Sequence, residues 1–391
     1  MKNKTKEYEL GQLLSYEQPT EFIVNSTEYN DSYNIPVLTA GKSFIIGYTN
    51  ETEGVYSNYP VIIFDDFTTS SQYVDFPFKV KSSAMKILSV NKELADLKYL
   101  YLLMQTIEFN AANHKRYWIS EYSKLKIDLP PLEEQRRIVK RIESLFAKLD
   151  SAKEKAQNVV DSFEVRKAAV LHKAFSGELT ASWRKQNDVA DDSWEDKMFD
   201  SCIKKMQNGL SKRSGEEGKE TVVLRLANLG ETNFDISDLR TIKLTEKEIE
   251  NYTLYSNDVV MIRVNGSKSN VARQILVTSN DSWSFCDHII RIVYESFCLP
   301  NYMVYFSCTK KYKDYIFENM VSSAGQNTIS RKGLANLEIP IPTLPEQQEI
   351  VRILDNILQK EQKAKQAAQT VLQQIDLLKK SILARAFRGE L

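Results

Sequence analysis

LPPLEEQRRIVKRIESLF (Leu129–Phe146) returns as IPTLPEQQEIVRILDNIL (Ile341–Leu358), 212 residues further on. The match continues without a gap to FSGEL (Phe175–Leu179) and FRGEL (Phe387–Leu391). Identities include Pro130/Pro342, Leu132/Leu344, Glu134/Glu346, Gln135/Gln347, Ile138/Ile350, Val139/Val351, Phe175/Phe387 and Gly177/Gly389. A period this long excludes a solenoid. It implies a duplicated unit, a large domain followed by a tail, present twice.

Each tail reads as a long helix. Apolar positions in the first fall at Ile138, Ile142, Leu145, Leu149, Ala152, Ala156, Val159 and Phe163. In the second they fall at Ile350, Leu354, Ile357, Ala364, Ala368, Val371, Ile375, Leu378 and Ile382. Alternating steps of four and three make the seam of a coiled coil. The core of that seam is Ile138, Ile142, Leu145 and Leu149 against Ile350, Leu354, Ile357 and Ile375. Arg166 interrupts the first seam and Glu361 the second, while the alanines would let two backbones approach closely. Pro130–Pro131, Pro342 and Pro345 mark the helix starts, and Glu133, Glu134 and Glu346 place negative charge at the positive end of each dipole. Gly177 and Gly389 mark the stops. The first helix is expected to run unbroken from about Glu133 to Phe175.

Working outward, the blocks between the tails echo one another. YPVIIFDDF (Tyr59–Phe67) and NDVVMIRV (Asn257–Val264) read as buried strands opened by a turn, and Phe78–Leu88 and Phe285–Tyr294 as strands. Helices are expected at Leu94–Phe109 and Asn301–Phe317. The polar stretch Arg184–Asp196 reads as a linker. These readings divide the chain into residues 1–128, 129–179, 180–340 and 341–391: two mixed α+β domains separated by two long antiparallel helices, with a pseudo-twofold repeat.

Composition bounds the function. The 391 residues are 42% hydrophobic and 27% charged, which suits a globular protein and excludes a disordered or collagenous one. No apolar run approaches the ~20 residues that span a bilayer, the N-terminus lacks a secretory pattern, and four unclustered cysteines suit a reducing cytoplasm. The two domain blocks carry 13 basic against 16 acidic and 21 against 22 residues, and the tails 10 against 8 and 8 against 6. No block is basic enough to bind nucleic acid by phosphate neutralisation alone, so any such role is local or shared with a partner.

Searches for catalytic chemistry fail. Gly41–Lys42–Ser43 resembles the end of a phosphate loop, but Pro36 stands where the loop needs glycine, and VLTAGKSFIIG reads better as strand, turn, strand. No amino-methyltransferase signature occurs. Cys286–Asp287–His288 lacks a C-x-x-C companion for zinc. Asp65, Asp66 and Asp75 lack the accompanying lysine motif of a nuclease and read as a solvated turn. No catalytic residue, metal or cofactor is expected in this chain.

The two LP-x-L-x-EQ-x-x-IV helices, closing in AFSGEL and ARAFRGEL, resemble the specificity subunits of type I DNA restriction–modification systems. SWRKQN followed by Ser193–Trp194 is similar to that family's join into its second domain. The resemblance implies two target-recognition domains, each reading one half of a bipartite site on double-stranded DNA. It implies antiparallel helices that space the domains and dock two methyltransferase subunits, with recruitment of a translocating restriction subunit. Adenosylmethionine, ATP and magnesium then belong to those partners, and no membrane is involved. One departure from the family pattern is expected: the sequence begins directly in the first recognition domain, with no separate conserved segment before it, so the pseudo-symmetry is expected to close through AFRGEL. The rival readings are a scaffold without base readout and a stand-alone nuclease or methyltransferase.

Base edges are read by polar and cationic side chains from loops and grooves. The candidates are Lys42, Thr68, Thr69, Gln72, Lys79 and Lys81 in the first domain. In the second they are Asn208, Lys212, Arg213, Arg263, Asn265, Lys268, Asn270, Arg273, Gln326 and Asn327.

Overall fold

The computed structural model describes residues 5–41, 43–109 and 116–391. The chain forms two compact units, residues 1–158 with 368–391 and residues 159–367, and each is described by itself.

In the first unit, alternation along VIIF builds the centre. Ile62 and Phe64 face one core, with Leu88, Trp118 and Tyr122; Val61 and Ile63 face the other, with Leu38, Phe78, Val80 and Ile87. Successive side chains on a strand point to opposite faces. The strand Val61–Asp65 is apolar on both because both faces are covered. It lies in a four-stranded antiparallel sheet ordered Leu14–Glu17, Met85–Val90, Val61–Asp65, Ser71–Val74. A second sheet is ordered Ile45–Thr49, Ile35–Leu38, Lys79–Val80, the last pair parallel. Ile35–Leu38 and Ile45–Thr49 pair antiparallel. Lys6–Glu9 pairs antiparallel with Lys126–Leu129 just before the long helix.

The second unit repeats this plan. Val259 and Met261 face one core and Val260 and Ile262 the other. The four-stranded sheet is ordered Ile203–Asn208, Ile289–Tyr294, Val259–Ile262, Gln274–Leu276. The companion sheet is Thr241–Leu244, Lys219–Leu224, Ser284–Phe285, again with a parallel last pair. Glu195–Met198 pairs with Glu338–Ile341. A further three-stranded sheet joins Val264–Asn265, Gln326–Thr328 and Val321–Ser323.

Several expected elements divide. The helix foreseen at Asn301–Phe317 is two, Pro300–Ser307 and Lys310–Asn319, because Thr309 caps the second, accepting the Tyr312 amide at 3.2 Å. The one at Leu94–Phe109 shortens to Leu97–Met104, capped by Asp96. Phe78–Leu88 and Phe285–Tyr294 each hold two strands.

The glutamine of each repeat ties helix to domain. Gln135 accepts the Asp96 amide at 2.8 Å and donates to the carbonyls of Pro130 (2.8 Å) and Leu94 (3.2 Å). Gln347 accepts the Leu299 amide at 2.7 Å and donates to Pro342 and Phe297, both at 2.8 Å. Asp96 and Leu299 are the N-caps of the domain helices. One buried amide therefore anchors three backbone groups in each copy, and each would otherwise carry the cost of an unmade buried hydrogen bond.

The second long helix runs unbroken from Leu344 to Phe387. The first does not: it is Leu132–Asp161 and Phe163–Phe175, interrupted at Ser162. Arg166 supplies the cause. Its guanidinium donates to the Val159 carbonyl at 3.2 Å and to Ser162 Oγ. An uninterrupted helix would give that carbonyl to the amide of residue 163, and a side chain inserted into the ladder breaks it. Arg166 also pairs with Glu361 at 2.8 Å, so the two residues that interrupt the apolar seams are each other's partners.

The helices are antiparallel in each unit. In the first, Asp150 meets Lys379 at 2.6 Å, while Ile138 and Ile142 share a core with Leu383 and Ala386. In the second, Glu164 meets Lys365 and Arg166 meets Glu361, while Ile350 and Leu354 share a core with Leu171 and Ala174. Ile138, Ile142, Ile350, Leu354 and Ile375 are buried, and Leu145, Leu149 and Ile357 half-buried. Val371 and Leu378, which the heptad spacing assigns to the seam, are exposed, as is Ala364; Ala156 and Ala368 are buried. The apolar steps near the helix starts serve the domain cores as much as the helix pair.

Candidate nucleic-acid interface

In the second unit the nominated loops converge on Asp287. Arg213 reaches its carboxylate at 3.4 Å and His288 at 3.2 Å, while Arg263 donates to its backbone carbonyl at 3.3 Å. Gly209 makes the approach workable: a Cβ there would lie 2.1 Å from the Cys286 carbonyl oxygen. Asn208 is exposed just before it. Arg213 is largely exposed and Arg263 half-buried, so the group presents positive charge beside the loop Asn208–Lys219.

The hairpin Val321–Thr328 stands against the Asn265 turn. Asn327 is buried and works as a latch: it donates to the carbonyls of Asn265 (3.2 Å) and Gly266 (3.0 Å) and accepts Ser322 Oγ at 2.6 Å. It is therefore spent on the backbone and is not a surface reader. Its neighbour Gln326 is exposed at the hairpin tip, beside Gly325. Asn265 accepts the Ser267 amide at 2.8 Å, which shapes the turn that exposes Lys268.

Asn270 and Arg273 go elsewhere. They bond each other at 3.1 Å, and Arg273 donates to the Leu229 carbonyl at 2.8 Å. With Lys268 they line a cavity of about 310 Å³, together with Lys167, Lys313 and Phe317. Burial lowers the Arg273 pKa, partly offset by Glu231. Lys212 is tethered to Glu248 at 3.0 Å. Hydrogen bonds from Thr245 and then Lys212 hold the Glu248 carboxyl below its usual range.

In the first unit, Thr68 and Thr69 sit on the turn after Val61–Asp65. Asp65 accepts the amides of Phe67 (2.8 Å) and Thr68 (3.0 Å), and Thr69 has φ +59°. Gln72 is half-buried on the adjacent strand and Lys81 is exposed. Lys79 is not available: it is buried, paired with Glu51 at 2.9 Å and bonded to the Glu53 carbonyl at 2.7 Å. Lys42 lies outside the described residues.

Two buried features escaped sequence reasoning. Asp66 is not part of a solvated turn. It pairs with buried Lys86 at 3.2 Å and accepts the Trp118 amide at 2.8 Å. Arg184 is not linker: it lies in the helix Ala181–Gln186 and donates to buried Glu346 at 2.6 Å. Glu195 and Asp196, at the other end of that stretch, belong to a strand.

Cys286, Asp287 and His288 bring possible ligand atoms within 4.8 Å of one another. Burial raises the Cys286 thiol pKa, and the Asp287 carboxylate already faces Arg213 at 3.4 Å. Among the described residues no helix is long and apolar enough to cross a membrane.

The partition yields a test. Lys81→Ala and Lys268→Ala are expected to leave the melting temperature unchanged and to lower the salt dependence of DNA binding by about one unit of slope each. Lys79→Ala should instead destabilise the fold by leaving Glu51 partly unpaired. Thermal melts and salt-titrated binding check both, and an unchanged salt slope in both surface variants would count against the assignment.

The family model for the type I restriction modification DNA specificity domain matches residues 2–160 and 210–372. The chain belongs to that family. It is 34% identical over 274 residues to the type I restriction enzyme StySPI specificity subunit of Salmonella potsdam, covering 70% of this chain and 59% of the relative. Against the EcoR124I/EcoR124II specificity subunit of Escherichia coli, 128 residues align at 56% identity, 31% of each chain. The chain therefore spans less than two thirds of these relatives. The fold matches the crystal structure of the HsdS subunit from Thermoanaerobacter tengcongensis with a TM-score of 0.65 and 18% identity, over 99% of this chain and 97% of that one.

Proposed function

We propose that this chain is the DNA-specificity subunit of a type I restriction–modification complex and reads a bipartite duplex site, one half with each domain. The observation that carries this reading is the recurrence of one strand order in both units, each feeding a long helix. Residues 1–128 and 180–340 are the readers; 129–179 and 341–391 are the spacer. Thr68, Thr69, Gln72 and Lys81 serve the first half-site. Asn208, Arg213, Arg263, Asn265, Lys268 and Gln326 serve the second.

Two methyltransferase subunits dock along the helices, and a translocating restriction subunit joins them. Exposed Val165, Val371, Leu377 and Leu378 support helix-borne docking. Adenosylmethionine, ATP and magnesium belong to those partners, and the complex works in the cytoplasm. The chain is not an enzyme by itself. Incubated alone with DNA, adenosylmethionine, ATP and magnesium, it is expected to give neither methylation nor cleavage. With its methyltransferase partners it should protect two separated patches of one DNA. Activity of the pure chain, or a complex without sequence-specific protection, would refute the reading.

A further inference from the structure

We infer that the cavity walled by the helices Phe163–Phe175 and Lys310–Asn319 and by residues 268–273 binds a small phosphate ester with a flat ring, of the class of a nucleoside monophosphate. Every residue lining it belongs to the second unit. The inference does not rest on the proposed DNA role.

Charge sets the class of ligand. Lys167, Lys268, Arg273 and Lys313 line the cavity, against Glu164 and Glu231. Glu164 is shared with Lys365 at 3.9 Å. Among the described residues no carboxylate stands within ion-pair distance of any of the four cations. Buried arginines elsewhere in the unit are paired: Arg291 meets Asp258 at 2.7 Å and Arg184 meets Glu346 at 2.6 Å. The cavity therefore gathers cations whose counter-charge the chain does not supply.

Arg273 is held there by a strained backbone. Ala272 is fully buried with φ +61°, a left-handed conformation that is costly for a residue with a side chain. Tyr312 fixes it by donating to the Ala272 carbonyl at 2.9 Å. The Arg273 guanidinium then bonds two neutral acceptors, Asn270 Oδ1 and the Leu229 carbonyl, and its Nε–H is sealed from solvent without a partner. Neutral acceptors leave its charge uncompensated, and a half-buried cation without a counter-charge is costly. Burial already works against its charged form, and an anion in the cavity offsets that. A guanidinium is also the side chain best suited to phosphate oxygens.

Size and lining set the rest. A volume of about 310 Å³ falls at the small end of organic-ligand pockets, about 300–1,000 Å³. Phe317 lies one helical turn from Lys313, lines the same cavity and is 51% exposed. It offers an aromatic surface to a flat ring while the cations take the phosphate.

The test is calorimetric titration of the full chain with adenosine monophosphate. Saturable binding is expected, and adenosine, which lacks the phosphate, should not bind. Lys167→Gln and Lys313→Gln should each weaken binding by about fivefold or more, and Phe317→Ala should weaken it too. Lys310→Gln removes an exposed cation of the same helix that pairs with Asp314 outside the cavity, and it should leave binding unchanged. Equal binding of adenosine, or an equal loss with Lys310→Gln, would overturn the inference. So would the absence of saturable binding; if the two lysine variants then lowered the salt slope of DNA binding by about one unit each, the cations would serve a DNA phosphodiester instead. Thermal melts establish that the variants are folded.

Discussion

Ile142→Asp and Leu354→Asp are each expected to destabilise the protein by about 3–5 kcal/mol, the range for a charge placed unpaired in a packed core. Both positions are fully buried, Ile142 among Leu10, Leu100 and Leu383 and Leu354 among Tyr302, Phe306 and Leu171. In a unit of some 200 residues that corresponds to roughly 10 °C or more in melting temperature. Leu378→Asp is the discriminating control. Heptad spacing puts Leu378 in the same seam, yet it is 47% exposed, so its change should stay within about 0.5 kcal/mol in the isolated chain. Equal losses at all three positions would favour a uniform coiled coil over helices that dock first on their domains. Scanning calorimetry of the three variants decides between them.

Arg184→Ala carries the next largest effect. Glu346 is sealed from solvent and draws its charge-assisted hydrogen bonds from Arg184 and Thr180. Removing the cation strands a buried carboxylate, at a cost of about 3 kcal/mol. The Asp191 contact, on an exposed carboxylate, contributes little of this. Glu346→Gln added to Arg184→Ala should recover part of the loss, since a neutral amide has no buried charge left to compensate. Urea unfolding gives the comparison, and a double variant no more stable than Arg184→Ala would show that the charge itself is not the cause.

Much of the architecture was legible because it rests on local patterns. The repeated LP-x-L-x-EQ words gave the helix starts, and the apolar runs VIIF and VVMI gave the central strands, since a strand covered on both faces carries no polar alternation. What stayed hidden depends on partners far along the chain. Arg184 looked like part of a polar linker because Glu346, which buries it, lies 162 positions away. Arg166 and Glu361 looked like two separate defects until the antiparallel register brought them together. Lys79 and Asp66 looked like surface charges because nothing local announces Glu51 or Lys86 as their partners. The candidate readers divided for the same reason. Gln326 and Lys268 are exposed, whereas Asn327, one position from Gln326, is spent on the backbone of another loop.

The central claim is that two domains read two half-sites independently while the helices set the distance. Its most direct measurement is methylome sequencing of cells in which residues 1–128 are exchanged for the first domain of another family member. A rod fixes separation, and hydrogen-bonding side chains in the domains fix base identity. The account predicts that one half of the methylated site changes while the other half and the spacer length stay the same. A change in both halves, or a continuous recognised site, would contradict it.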